Sequence, residues 1–234
     1  MRRHHFRPLV LGALLALLGA CGSLLPKPPV PPAFYLIDAA PLVAPVATGA
    51  QLPPAAPPAQ PPITLPHTLI VSAPLSAAGV DSPRILYLRQ PHQLLYFAHS
   101  EWVDTPARML APLLVKAIDG AATWRAVVGA PSAASGDLRL ETTLLRLQQD
   151  FTSTPSQVRF TLRATLLDAG SRRVLAWREF DARVAAPSED AAGGVAAANR
   201  AVRQVLTELG AFTADTARGL PATAAPPAAV PTTR

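Results

Sequence analysis

Cysteine is almost absent from this chain: one residue, Cys21, in 234. A single cysteine excludes an internal disulfide. Charge is also sparse, at 15% of residues, and aromatics reach only 6%. Uninterrupted apolar stretches are short. The longest near the amino terminus, Leu9 to Ala20, has twelve residues, and a membrane-spanning helix needs about 20. The net charge of +6 includes Arg2, Arg3 and Arg7. Without residues 1–20 the balance is 18 basic against 15 acidic residues, or +3. A nucleic-acid binder needs a clustered basic face, so the composition points to no nucleic-acid partner.

What is present is a basic start, an apolar run and a cysteine behind it. Residues 1–8 carry the arginines, and the apolar run ends Leu18-Gly19-Ala20-Cys21. A small residue before the cut and an aliphatic residue three positions before the cysteine form a bacterial lipobox. The expectation is cleavage between Ala20 and Cys21, lipidation of the Cys21 thiol and an anchored, not spanning, protein. A plain secretory signal followed by a chance cysteine is the rival reading. Gly22 follows the cysteine where inner-membrane retention would call for aspartate. By resemblance to bacterial lipoproteins, sorting to the outer membrane, facing the periplasm, is the default expectation.

Proline marks the organisation, with 27 residues. The segment 21–32 reads as lipidated cysteine and proline-rich tether, because such sequences extend at about 3.1 Å per residue. An Ala/Pro-rich insertion is expected over 41–66 and a disordered tail over 214–234. Between them lies one domain, residues 33–213, with its main folded material starting near Thr68.

Strand candidates are Phe34–Ile37, Leu69–Val71, Arg84–Leu88, Gln93–Phe97 and Trp124–Val128. In 157–166, Val158, Phe160, Leu162, Ala164 and Leu166 alternate with polar residues, as in a sheet covered on one side. The preceding strand changes phase between Leu140 and Leu147, which predicts a bulge near Leu144–Leu145. An amphipathic helix is expected after Asp104 and Thr105, through Ile118, with a kink or a delayed start at Pro112. A second helix opens at Ser188–Asp190 and is expected to stop at Gly210. Gly193 and Gly194 mark either a close approach to the sheet or a frayed start. The fold class is α+β: a mainly antiparallel sheet with two helices on one face.

Catalytic motifs are missing. There is no Gly-x-Ser-x-Gly elbow and no phosphate-binding loop. His67, His92 and His99 have no metal-ligand spacing. No enzyme activity, metal or cofactor is expected beyond covalent lipid on Cys21. Tyr87, Tyr96, Trp102 and Trp177 are candidate partner-binding residues, with core packing as the competing role for the tryptophans. Arg159, Arg163, Arg172 and Arg173 read as a solvated sheet face or a phosphate patch.

The order of these elements resembles the ABC-type transport auxiliary lipoproteins of the PqiC/YmbA type. The features that carry it are the lipobox, Phe34-Tyr35-Leu36-Ile37, the strand pair 85–97, Glu101-Trp102 with the helix behind it, the hairpin 157–184 and Ala198-Asn199-Arg200-Ala201. The resemblance implies a non-catalytic part of an intermembrane lipid transport system. Its partners would be an MCE (mammalian cell entry) domain protein with an ABC permease and ATPase, and a homo-oligomer is compatible with it. An outer-membrane assembly or secretion-system accessory lipoprotein is the alternative.

Overall fold

The computed structural model describes residues 31–38 and 64–221. The compact unit begins at Pro32. Ala20, Cys21, the tether to residue 30, most of the 41–66 insertion and residues 222–234 lie outside the described residues.

The long strands are those whose sequence alternates. β7 (Leu138–Asp150), β8 (Gln157–Asp168) and β9 (Val174–Ala185) form two antiparallel ladders running nearly their full length. All five even-numbered apolar residues of β8, from Val158 to Leu166, are buried. The predicted bulge is there, as a register shift between Leu144 and Arg146. Leu138, Leu140 and Leu144 are buried before it, and Leu147 and Gln149 after it. One extra residue thus keeps both halves of β7 facing the same core.

The other edge of β7 is shared. It pairs in turn with β2 (Thr64–Val71) at Leu138–Leu140, with the two-residue β3 (Leu75–Ser76) at Thr143–Leu144, and with β4 (Arg84–Gln90) at Gln148–Asp150. β2 carries β6 (Thr123–Gly129) outward, while β4 carries β5 (Gln93–Trp102) and then β1 (Ala33–Tyr35). The sheet is therefore a three-strand block that forks into two wings. The expected mainly antiparallel character holds in the long ladders. The joins at β1–β5, β2–β6 and along β7 are parallel, and of these β2–β6 runs the length of its strands while the others are two or three pairs long.

β2 begins at Thr64 rather than near Thr68, so the expected insertion loses residues 64–66 to the sheet. Pro66 is tolerated because it falls at the register shift between Leu65 and Thr68. A missing N–H there removes no regular ladder bond.

Helix α1 (Pro106–Asp119) starts at Pro106, not later, and includes Pro112. Pro112 lies on the exposed side. Arg108, four residues before it, is exposed too, so water can reach the carbonyl that loses its N–H partner and offset much of the usual cost. Met109, Leu110, Leu114 and Ile118 form the buried stripe.

Helix α2 (Ala191–Arg218) is capped by Asp190, whose Oδ1 accepts from the Gly193 N–H at 2.7 Å. It packs across β8, β9 and β7 and against α1, which also covers β6. Both helices thus lie on one face of the sheet, as expected. Gly210 is not its end. A Cβ there would come 2.8 Å from the Ala121 Cβ and 3.1 Å from the Ala117 carbonyl oxygen, so this glycine lets α2 approach α1. The helix runs on through buried Ala214 and Ala217. The domain boundary expected at 213, and the tail expected from 214, therefore move beyond Arg218. Gly194 is a close approach rather than a frayed start: a Cβ there would press on the buried Gln149 side chain.

Candidate partner-binding surfaces

The four candidate aromatics do not converge. Trp102 is only 3% exposed and belongs to the core. It sits on the helix side of β5, where the sheet meets α2, so it offers no surface and leaves the candidate set. Trp177 is 65% exposed on β9, at the far edge of the sheet from β5. Tyr87 and Tyr96 share the β4–β5 hairpin but occupy opposite faces, since Tyr96 is paired with Leu86 and Tyr87 with Leu95. Tyr87 stacks with Phe97 at 4.7 Å and meets Phe151 edge-on at 5.7 Å, with Arg89 over the Phe151 ring at 5.3 Å. Tyr96 is exposed, and the Arg84 guanidinium lies 4.2 Å from its ring centroid.

Sequence reasoning missed the residues around Tyr96. Phe34, Leu36, Leu94 and Val103 are all exposed. The signal was in Phe34-Tyr35-Leu36-Ile37, which is apolar on both faces, whereas a helix layer covers only one. It also missed Asn199. Its Oδ1 accepts from the Asp38 N–H at 2.6 Å, and its Nδ2 donates to the Leu36 carbonyl at 3.2 Å and to the Val195 carbonyl at 3.1 Å. One helix side chain thus clamps the amino-terminal segment, and Ile37 is buried beside it.

The helix-free face of β7–β9 neutralises itself. Arg159 binds Asp181 at 2.8 Å, Thr161 donates to the same carboxylate at 2.5 Å, and Arg163 binds Glu179 at 3.1 Å. Burial works against ionisation of Asp181, yet the hydrogen bonds from Arg159 and Thr161 and the charge of Arg183 outweigh it. The carboxyl is held below its usual range. Asp190 is lowered by the Gly193 N–H and Ser188, and Asp168 by the Ser171 backbone and hydroxyl. This supports the solvated-face reading for Arg159 and Arg163. Arg172 instead borders a recess of about 340 Å³ with Arg139, Glu141 and Asp168. Its charges are mixed, so it is no simple phosphate patch. His67 is buried with neither ring nitrogen hydrogen-bonded. Among the described residues no group of three His, Cys, Asp or Glu could hold a metal, and no helix is long and apolar enough to cross a membrane.

Among the described residues, β9 pairs only with β8. The Ala186 N–H donates to the Ser156 carbonyl, so even-numbered residues of β9 face inward. Trp177, Glu179, Asp181 and Arg183 therefore direct their backbone N–H and C=O groups outward. Arg200 caps the outward carbonyl of Ala185 at 2.7 Å.

The family model described as ABC-type transport auxiliary lipoprotein component matches residues 51–210. A crystal structure of a Xanthomonas campestris protein of the DUF330 family model superposes with a TM-score of 0.62 at 29% identity, over 69% of this chain and 90% of that one. A crystal structure of an uncharacterized protein superposes with a TM-score of 0.58 at 12% identity, over 79% of this chain and 99% of that one, and shares the fold alone. No curated protein matches this chain.

Proposed function

This chain belongs to the ABC-type transport auxiliary lipoprotein family, and from that premise we propose that it is a non-catalytic, lipid-anchored docking component of an MCE-type intermembrane lipid transport system. Cys21 carries the lipid and residues 22–32 tether the domain to the outer membrane. The folded domain binds the periplasmic end of the MCE assembly, and the partner ATPase supplies the energy. The family match is the observation that carries this reading.

The geometry supports it in two ways. The long ladders and the helix layer make a rigid platform, and the edge of β9 that no described strand covers can accept a strand from a partner beside the exposed Trp177. The helix-free face around it spends its charges internally, so it presents no developed active-site charge to solvent.

The test is affinity purification of the lipidated protein from gently solubilised membranes, with partners identified by mass spectrometry. Recovery of an MCE-domain protein with its permease and ATPase is the expected result. Recovery of an outer-membrane barrel or secretin alone overturns the proposal.

A further inference from the structure

Five of the eight exposed large hydrophobic residues of the described chain lie on one wing of the sheet: Phe34, Leu36, Leu94, Tyr96 and Val103. The strand registers put them on one face. Phe34 is paired with Glu101, and Arg84 is paired with the same Glu101. Cross-strand partners share a face. Across the register shift between Arg84 and Leu86, where β5 takes up five residues against two in β4, Leu86 is paired with Tyr96. The stacking of Arg84 on the Tyr96 ring confirms the assignment. Leu36 and Val103 follow two residues after Phe34 and Glu101, held together by the Val103 N–H to the Tyr35 carbonyl at 2.9 Å. Tyr35 and Ile37 point the other way, into the core. This is the face opposite the helices.

We infer that this face of the β1–β5–β4 wing rests on the lipid surface and fixes the orientation of the domain above the membrane. The inference rests on the reading of Cys21 as the lipid-bearing residue. Eleven residues lie between Cys21 and Ala33, and the twelve Cα steps, at no more than about 3.6 Å each, reach about 43 Å. The first strand that this tether enters itself supplies Phe34 and Leu36, which are 62% and 54% exposed. The part of the domain that the tether enters is thus its most apolar exposed part. Aromatic and aliphatic side chains with an arginine laid over a ring match the chemistry of a membrane interface. The Asn199 clamp and buried Ile37 hold β1 against α2, so contact at Phe34 sets the angle of the whole domain.

The test uses the mature chain with Cys21→Ser, which bears no lipid, and vesicles of phosphatidylethanolamine and phosphatidylglycerol. The chain is expected to co-sediment with vesicles. Phe34→Ser, Leu36→Ser and Val103→Ser combined should weaken that binding by about tenfold or more, while Trp177→Ser leaves it unchanged. The Cys21→Ser chain has no other cysteine, so a fluorescent probe can be placed at Val103→Cys or at Trp177→Cys without disturbing the rest of the face. Quenching by brominated lipid at 103 and not at 177 supports the inference even if the triple variant folds poorly. Quenching at both positions or at neither overturns it. So does a triple variant that loses a co-purifying protein, or its own self-association, while vesicle binding persists. Intact mass of the Cys21 peptide from cells tests the lipidation separately, so failure of the anchor and failure of the face are told apart.

Discussion

The β7–β8–β9 block and the β1–β5–β4 wing belong to one sheet but solve opposite problems. In the block, strict alternation gives one apolar face and one polar face. α2 covers the first, and the Arg159–Asp181 and Arg163–Glu179 pairs occupy the second. In the wing, Phe34-Tyr35-Leu36-Ile37 is apolar on both faces, and the fold covers only the side of Tyr35 and Ile37. The two faces of the block find their partners inside the chain, and its open backbone edge is left at β9. The wing keeps an apolar face that no described residue covers.

The sharpest way to break this comparison is to cut into the block. Phe160→Ala removes a fully buried ring beneath α2 and should cost about 3–5 kcal/mol, read by urea denaturation. Gly193→Ala comes next. Its Cβ would meet the backbone of Ser188 at the start of α2, and an overpacked site of this kind loses about 1–3 kcal/mol.

Asn199→Ala tests the attachment of the wing. It removes the bonds to Asp38 and Leu36, which should lower stability by about 1 kcal/mol. Hydrogen exchange should show local loss of protection at Asp38 while the β8 amides stay protected. Unchanged protection at Asp38 would mean that β1 holds without the clamp.

Asp181→Asn sharpens the description of the polar face. The folded-state pKa of Asp181 is depressed. Its contribution is therefore present above the unfolded value of 3.8 and fades as pH falls through the lower folded value. At neutral pH the variant should lose less than about 1 kcal/mol, because the site is partly exposed. The gap from the parent should close progressively below pH 3.8 in acid-unfolding curves. Smallest of all is Phe34→Ser, which should change stability by no more than about 0.5 kcal/mol. A large loss there would show that Phe34 is a packing residue and that the two regions do not differ as described.

Much of the block was legible because its signals are local. The period-2 pattern of β8 and the phase reversal across Leu144–Leu145 each read directly from neighbouring residues. The wing was less legible. The sequence treats Trp102 and Trp177 alike, yet one is buried and the other is not. Nothing near either residue says whether a helix passes over it. Gly210 and Pro112 misled for a related reason. A glycine ends a helix unless another helix needs the space, and a proline breaks one unless its orphaned carbonyl faces water.

The sequence by itself determined most of the segments that become strands and helices, though not β3 or the last turns of the second helix, as well as which face of each long strand is apolar and where β7 must bulge. Those follow from side-chain periodicity and backbone preference, which act over a few residues. The tertiary structure alone decided that β7 would serve β2, β3 and β4 on one edge, that Asn199 would hold a segment more than 160 residues away, and that Phe34 and Leu36 would stay outside. Each depends on which distant elements meet, and contacts of that range are chosen by the packing of the whole core rather than by any local preference.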